Sequence, residues 1–190
     1  MNNAIDPIHT VAEPVLKGMY PDPSWIWDDV RGQAVLVNSS FELVPGLPIH
    51  GSDGEDLHHW KLLGHAVDGD MAKRLLLQYV EDSGGLYAPT LRKIGGTNGV
   101  YAIACTVARL NRVKAETDGV SADLLNEIEA SQGNFVIVAE RLEGPWSGPF
   151  WVAGAEGIDP DLFEDIDGTV WWTQTRPALD PQWKGQTEIW

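Results

Sequence analysis

Residues 20–37 read Tyr20-Pro21-Asp22-Pro23-Ser24-Trp25-Ile26-Trp27-Asp28-Asp29-Val30-Arg31-Gly32-Gln33-Ala34-Val35-Leu36-Val37. Two runs rich in aromatic and β-branched residues flank a polar turn at Asp28, Asp29 and Gly32, which is the signature of a β-hairpin. The hairpin opens on Asp22-Pro23-Ser24, and this opening decides the fold because the chain returns to it twice.

The second copy runs Ala88-Pro89-Thr90-Leu91, a turn from Gly95 to Gly99, then Val100-Tyr101-Ala102-Ile103. The third runs Asp159-Pro160-Asp161-Leu162-Phe163, a turn from Asp165 to Gly168, then Thr169-Val170-Trp171-Trp172. Past the hairpin, the first copy continues through Leu47-Pro48-Ile49-His50 and Trp60-Lys61-Leu62-Leu63. The second continues through Phe135-Val136-Ile137-Val138, Trp146 and Phe150-Trp151-Val152. About four strands per unit is the count of a propeller blade.

The sequence therefore predicts an all-β chain of about two and a half β-propeller blades, at residues 20–80, 85–153 and, incompletely, 157–190. The second unit carries an insertion over residues 109–132. There Ala122, Leu124, Leu125, Ile128 and Ala130 recur at helical spacing after Ser121, which predicts a short surface helix. Two and a half blades leave sheet edges unpaired, so the expectation is a chain cut short that self-associates through those edges.

Composition narrows the partners. With 13 Lys plus Arg against 28 Asp plus Glu, the net charge of −15 repels a phosphate backbone, so nucleic acid is not expected. No run approaches the roughly 18 apolar residues of a membrane helix. Residues Met1–Ala12 have neither the basic start nor the apolar run of a secretory signal, which predicts a cytoplasmic protein if this is the native start. The lone Cys105 has no disulfide partner and reads as a core residue. His9, His50, His58, His59 and His65 lack a helical ligand pair, so no metal and no cofactor are expected.

The ordered segments Tyr20-Pro21-Asp22-Pro23-Ser24, Asn38-Ser39-Ser40-Phe41-Glu42, Pro45-Gly46-Leu47-Pro48-Ile49-His50, Gly84-Gly85-Leu86-Tyr87-Ala88-Pro89-Thr90 and Ile158-Asp159-Pro160-Asp161 resemble the N-terminal part of the glycoside hydrolase family 43 β-xylosidases and α-L-arabinofuranosidases. The likeness runs from about Pro14 to Trp190. It implies a five-bladed β-propeller that cleaves O-glycosyl bonds of xylosides or arabinosides with inversion during hemicellulose breakdown. The partner it implies is a xylo- or arabino-oligosaccharide.

Inversion needs a carboxylate base that activates water and a carboxylic acid that protonates the leaving oxygen. The resemblance makes Asp22 the general base, and Pro21 and Pro23 on either side restrict its backbone. It makes Asp159 the residue that tunes the acid's pKa, since a nearby negative charge keeps a carboxylic acid protonated. Phe41 and Tyr87 match aromatic positions of the sugar pocket. Tyr87 stands where these relatives usually carry tryptophan, and as bare aromatics both would more often be core residues. The tryptophans Trp25, Trp27, Trp60, Trp146, Trp151, Trp171 and Trp172 read as blade packing.

The family's acid is a glutamate further from Asp159 than Glu188, so Glu188 is not assigned that role and the acid is expected outside the 190 residues. The chain alone is then expected to be inactive. The alternative is a noncatalytic carbohydrate-binding remnant or pseudoenzyme.

Overall fold

The computed structural model describes residues 14–176 and 187–189. The reading of residues 1–12 and part of the third unit, residues 177–186 and Trp190, lie outside the described residues, as does the side chain of Glu188.

Three antiparallel sheets follow one another along the chain. The first is built from β1 (Ser24–Asp28), β2 (Gln33–Val37), β3 (Gly46–Asp53) and β4 (Asp56–Val67), paired in that order. A short helix α1 (Gly69–Arg74), N-capped by the Asp68 carboxylate, and a single 3-10 turn over Leu77–Tyr79 lead to the second sheet. Its strands are β5 (Val80–Ile94), β6 (Val100–Leu110), β7 (Asn134–Ala139) and β8 (Ser147–Trp151). The third sheet contains β9 (Ile158–Glu164), β10 (Val170–Thr175) and β11 (Thr187–Ile189). Each repeat of the sequence thus starts one sheet, and the innermost strands β1, β5 and β9 contact one another in succession. This is the radial order of propeller blades.

The two-residue period of a strand explains how the sheets stack. One face of the first sheet presents Val35, Val37, Leu47 and Ile49. The facing side of the second presents Leu91, Ile103, Phe135 and Ile137, and all eight are fully buried. The second sheet's opposite face carries Ala102 and Ala104, whose small side chains admit Leu162 and Trp172 of the third.

The small polar residue of each repeat now has a reason. The Ser24 hydroxyl accepts a hydrogen bond from Leu91 N at 3.1 Å, and the Thr90 hydroxyl donates to Pro160 O at 2.7 Å. Each stitches its innermost strand to the next. Asp161 closes the second seam from the other side, pairing with Arg92 at 2.8 Å.

Two expectations need correction. The insertion forms two helices, α2 (Arg112–Thr117) and α3 (Ala122–Ala130), with Asn111 and Ser121 as side-chain N-caps. They are more than a surface decoration, because Ala115, Leu125 and Ile128 bury together with Leu76 as a satellite core. Blade packing also fails to describe every tryptophan. Trp146 is buried, but Trp25, Trp27 and Trp171 are 59%, 41% and 47% exposed. Alternation turns Ile26 toward the second sheet, so Trp25 and Trp27 face away from it. Trp171 and its cross-strand partner Phe163 do the same on the far side of the third sheet.

Candidate active site

The openings of the three repeats meet. Asp22, Pro23 and Ser24, Ala88, Pro89 and Thr90, and Asp159, Pro160 and Asp161 line one cavity of about 330 Å³. Asp22, Ala88 and Asp159 share a left-handed backbone, with φ of 52°, 39° and 57°. A residue with a Cβ pays on the order of 1 kcal/mol to adopt it, and strain of this kind gathers at functional sites. Each is followed by proline, which disfavours the right-handed helical alternative for the residue before it. The restraint anticipated for Asp22 therefore takes the form of a left-handed kink, placed just before β1, at the register shift inside β5 and at the second residue of β9.

Asp22 and Asp159 are both open to solvent at this mouth. The cavity walls still remove enough water to raise the Asp159 pKa above its ordinary value, and the charge of Asp22 raises it further. Ala88, the corresponding residue of the second repeat, contributes no charge.

Asp22 Oδ2 accepts a hydrogen bond from Ser39 Oγ at 2.6 Å, and the same oxygen of Ser39 accepts from Ala88 N at 2.7 Å. Beneath lies Cys105, fully buried, whose thiol donates to Tyr87 O at 3.2 Å. Burial pushes that thiol's pKa up, and Asp22 adds to the shift, so the thiolate is disfavoured.

The 38–45 connection of the first sheet crosses onto the second. Phe41 N donates to Leu86 O at 3.2 Å and Leu86 N to Phe41 O at 2.9 Å. The approach requires Gly85, with φ of 95°, because a Cβ there would lie 2.3 Å from Phe41 O. The crossing sets the Phe41 ring edge-on to Tyr87, with centroids 5.5 Å apart and planes at 82°. Both rings are half-buried. They do not line the narrow part of the cavity. They stand beside it, where Tyr87 precedes Ala88.

Sequence reasoning brought Asp22, Asp159, Phe41 and Tyr87 to this region but gave no role to Ser39 or Asn38. Nothing in their spacing marks them, since their contacts are made across 17 residues of chain. Among the described residues no group of three or more His, Cys, Asp or Glu side chains could hold a metal ion.

The sequence model of Glycosyl hydrolases family 43 matches residues 11–190. A xylosidase/arabinosidase of Butyrivibrio fibrisolvens is 35% identical over 182 residues, covering 93% of this chain and 29% of the relative. A non-reducing end alpha-L-arabinofuranosidase of Bacteroides ovatus is 37% identical over 164 residues, covering 85% of this chain and 25% of the relative. The crystal structure of the GH43 protein BlXynB from Bacillus licheniformis superposes with a TM-score of 0.65 at 30% identity, covering 90% of this chain and 30% of that one. The fold is that of the five-bladed β-propellers of this group, of which the chain holds about two and a half blades. It spans less than a third of the length of these relatives.

Proposed function

The chain belongs to glycosyl hydrolases family 43, and on that footing we propose that it forms the base side of a glycosidase site for xylosides or arabinosides. The observation that carries the reading is the shared cavity, in which two carboxylates from the first and third repeats face one space. Asp22 takes a proton from the water that attacks the anomeric carbon, and its fixed backbone holds it in line. Asp159 sits close enough to feel the charge of Asp22, and its own negative charge keeps a neighbouring carboxylic acid protonated. That acid, a glutamate, comes from outside the 190 residues. Phe41 and Tyr87 offer ring faces and edges to the apolar side of a pentose.

The names of the relatives support both sugars, since one carries xylosidase and arabinosidase together. The test is release of nitrophenol from nitrophenyl β-D-xyloside and nitrophenyl α-L-arabinofuranoside by the complete gene product. Turnover of at least one is expected, with Asp22→Asn lowering kcat by a factor of about 100 to 10,000. The 190-residue chain alone is expected to show negligible turnover. Full activity of Asp22→Asn would remove the proposal. Binding of xylo-oligosaccharide with no turnover, even by the complete product, would replace it with the noncatalytic reading.

A further inference from the structure

We infer that Ser39 is the positioning residue of Asp22 and selects which carboxylate oxygen meets the water; this rests on Asp22 being the base. Ser39 is 3% exposed, so bulk water does not compete for its hydroxyl. A backbone N–H only donates, so at Ala88 N the hydroxyl must accept, and its single proton is left for Asp22. The direction of the chain is thereby fixed. Ala88 N–H donates to Ser39 Oγ, Ser39 O–H donates to Asp22 Oδ2, and each bond polarises the next. With Oδ2 engaged, Oδ1 is the oxygen turned over to the water.

The backbone around Asp22 is held from the same place. Ser39 N donates to Pro21 O at 3.1 Å. Asn38, fully buried, donates Nδ2 to Tyr20 O at 2.9 Å and to Pro21 O at 3.1 Å. Two adjacent residues leaving β2 thus grip both the peptide that precedes Asp22 and its carboxylate.

The second sheet separates scaffold from function. Cys105 and Thr106 pass Tyr87 as Asn38 and Ser39 pass Pro21, and the Cys105 thiol again donates to the carbonyl before the left-handed residue. Thr106, however, donates to Asn134 Oδ1 at 2.7 Å. The backbone clamp is repeated in the second sheet, where no carboxylate follows, whereas the hydroxyl-to-carboxylate bond belongs to the first. The second repeat contributes a backbone donor to Ser39, which in turn donates to the base, in place of a side chain of its own.

Ser39→Ala removes the donor, and Ser39→Thr keeps it in a residue type that the fold already accepts at Thr106. Nuclear magnetic resonance on the 190-residue chain reads amide exchange at Ala88 and, from three-bond couplings, the χ1 rotamer of Asp22. In Ser39→Ala, exchange at Ala88 is expected to speed up roughly fivefold or more and Asp22 to spread over several rotamers, with both effects reversed in Ser39→Thr. Unchanged exchange with a single Asp22 rotamer in Ser39→Ala would overturn the inference, as would a threonine variant that behaves like the alanine one. In the complete gene product kcat falls roughly 10- to 100-fold in Ser39→Ala with KM held; a rise in KM alone would count against it. The resonance readouts need no turnover, so they separate failure of this inference from failure of the glycosidase reading.

Discussion

The first and second sheets are two versions of one design, and they diverge at a single end. Both are four-stranded meanders whose innermost strand carries a left-handed residue before proline, just ahead of β1 in the first sheet and within β5 in the second. In both, a side chain in the second strand or just past its end pins the carbonyl before that residue. At the mouth they differ. The first has Asp22 and a short connection that delivers Phe41, whereas the second has Ala88 and a connection enlarged into α2 and α3. The lesson is that the contacts that shape the backbone repeat and the contacts that carry chemistry do not.

The largest expected effect breaks the seam between the two sheets. Asp28 is fully buried, accepts from Tyr101 Oη at 2.7 Å and from Val30 N at 3.1 Å, and faces Arg31 and Lys93. Tyr101 is pushed up to about 12 by burial and by that carboxylate, so it stays a donor. Asp28→Ala strands buried polar groups, and urea unfolding should show a loss of about 3–5 kcal/mol. Gly85→Ala follows at roughly 2–3 kcal/mol, because the new Cβ meets the Phe41 carbonyl and the backbone is left-handed. It should also part Phe41 from Tyr87, visible as loss of their ring-current shifts.

Leu125→Ala in α3 tests whether the enlarged connection is an independent appendage. About 2 kcal/mol is expected, with amide exchange accelerating in α2 and α3 while β6 and β7 stay protected. Acceleration across the whole sheet would show that the insertion belongs to the main core.

The smallest effect lies at the solvent edge of the same seam, where Arg31 and Glu143 form a two-bond pair at 2.7 Å. The guanidinium bond holds the Glu143 pKa down to about 2. A depressed carboxylate stabilises the fold above its unfolded value, near 4.5, and that share is lost as pH falls toward 2. Solvent screening keeps the pair below about 1 kcal/mol. The stability difference between the parent and Glu143→Gln should therefore be present at pH 6 and vanish near pH 2.

How much of this was legible in the sequence depends on the range of the contact concerned. The hairpins, their turns and the meeting of Asp22 with Asp159 follow from a motif written in consecutive residues, so the repeat exposed them. Trp25 and Trp27 read as packing because hydrophobicity says that a residue wants cover, while only the position of the neighbouring sheet says whether it has it. The insertion read as one surface helix because the spacing of Leu125 and Ile128 reveals an apolar face but not what covers it, and their partner Leu76 lies in a distant turn. Ser39 and Asn38 were silent because a lone serine or asparagine after a strand has no pattern, and their partners come from another strand's entrance.

The most direct test of the account asks whether Asp22 and Asp159 share one space. With aspartate carboxyl carbons labelled, the Asp159 resonance is followed against pH in the parent chain and in Asp22→Asn. The account predicts that Asp159 titrates above the ordinary aspartate value in the parent and moves back down when the charge of Asp22 is removed. A titration of Asp159 indifferent to residue 22 would contradict it.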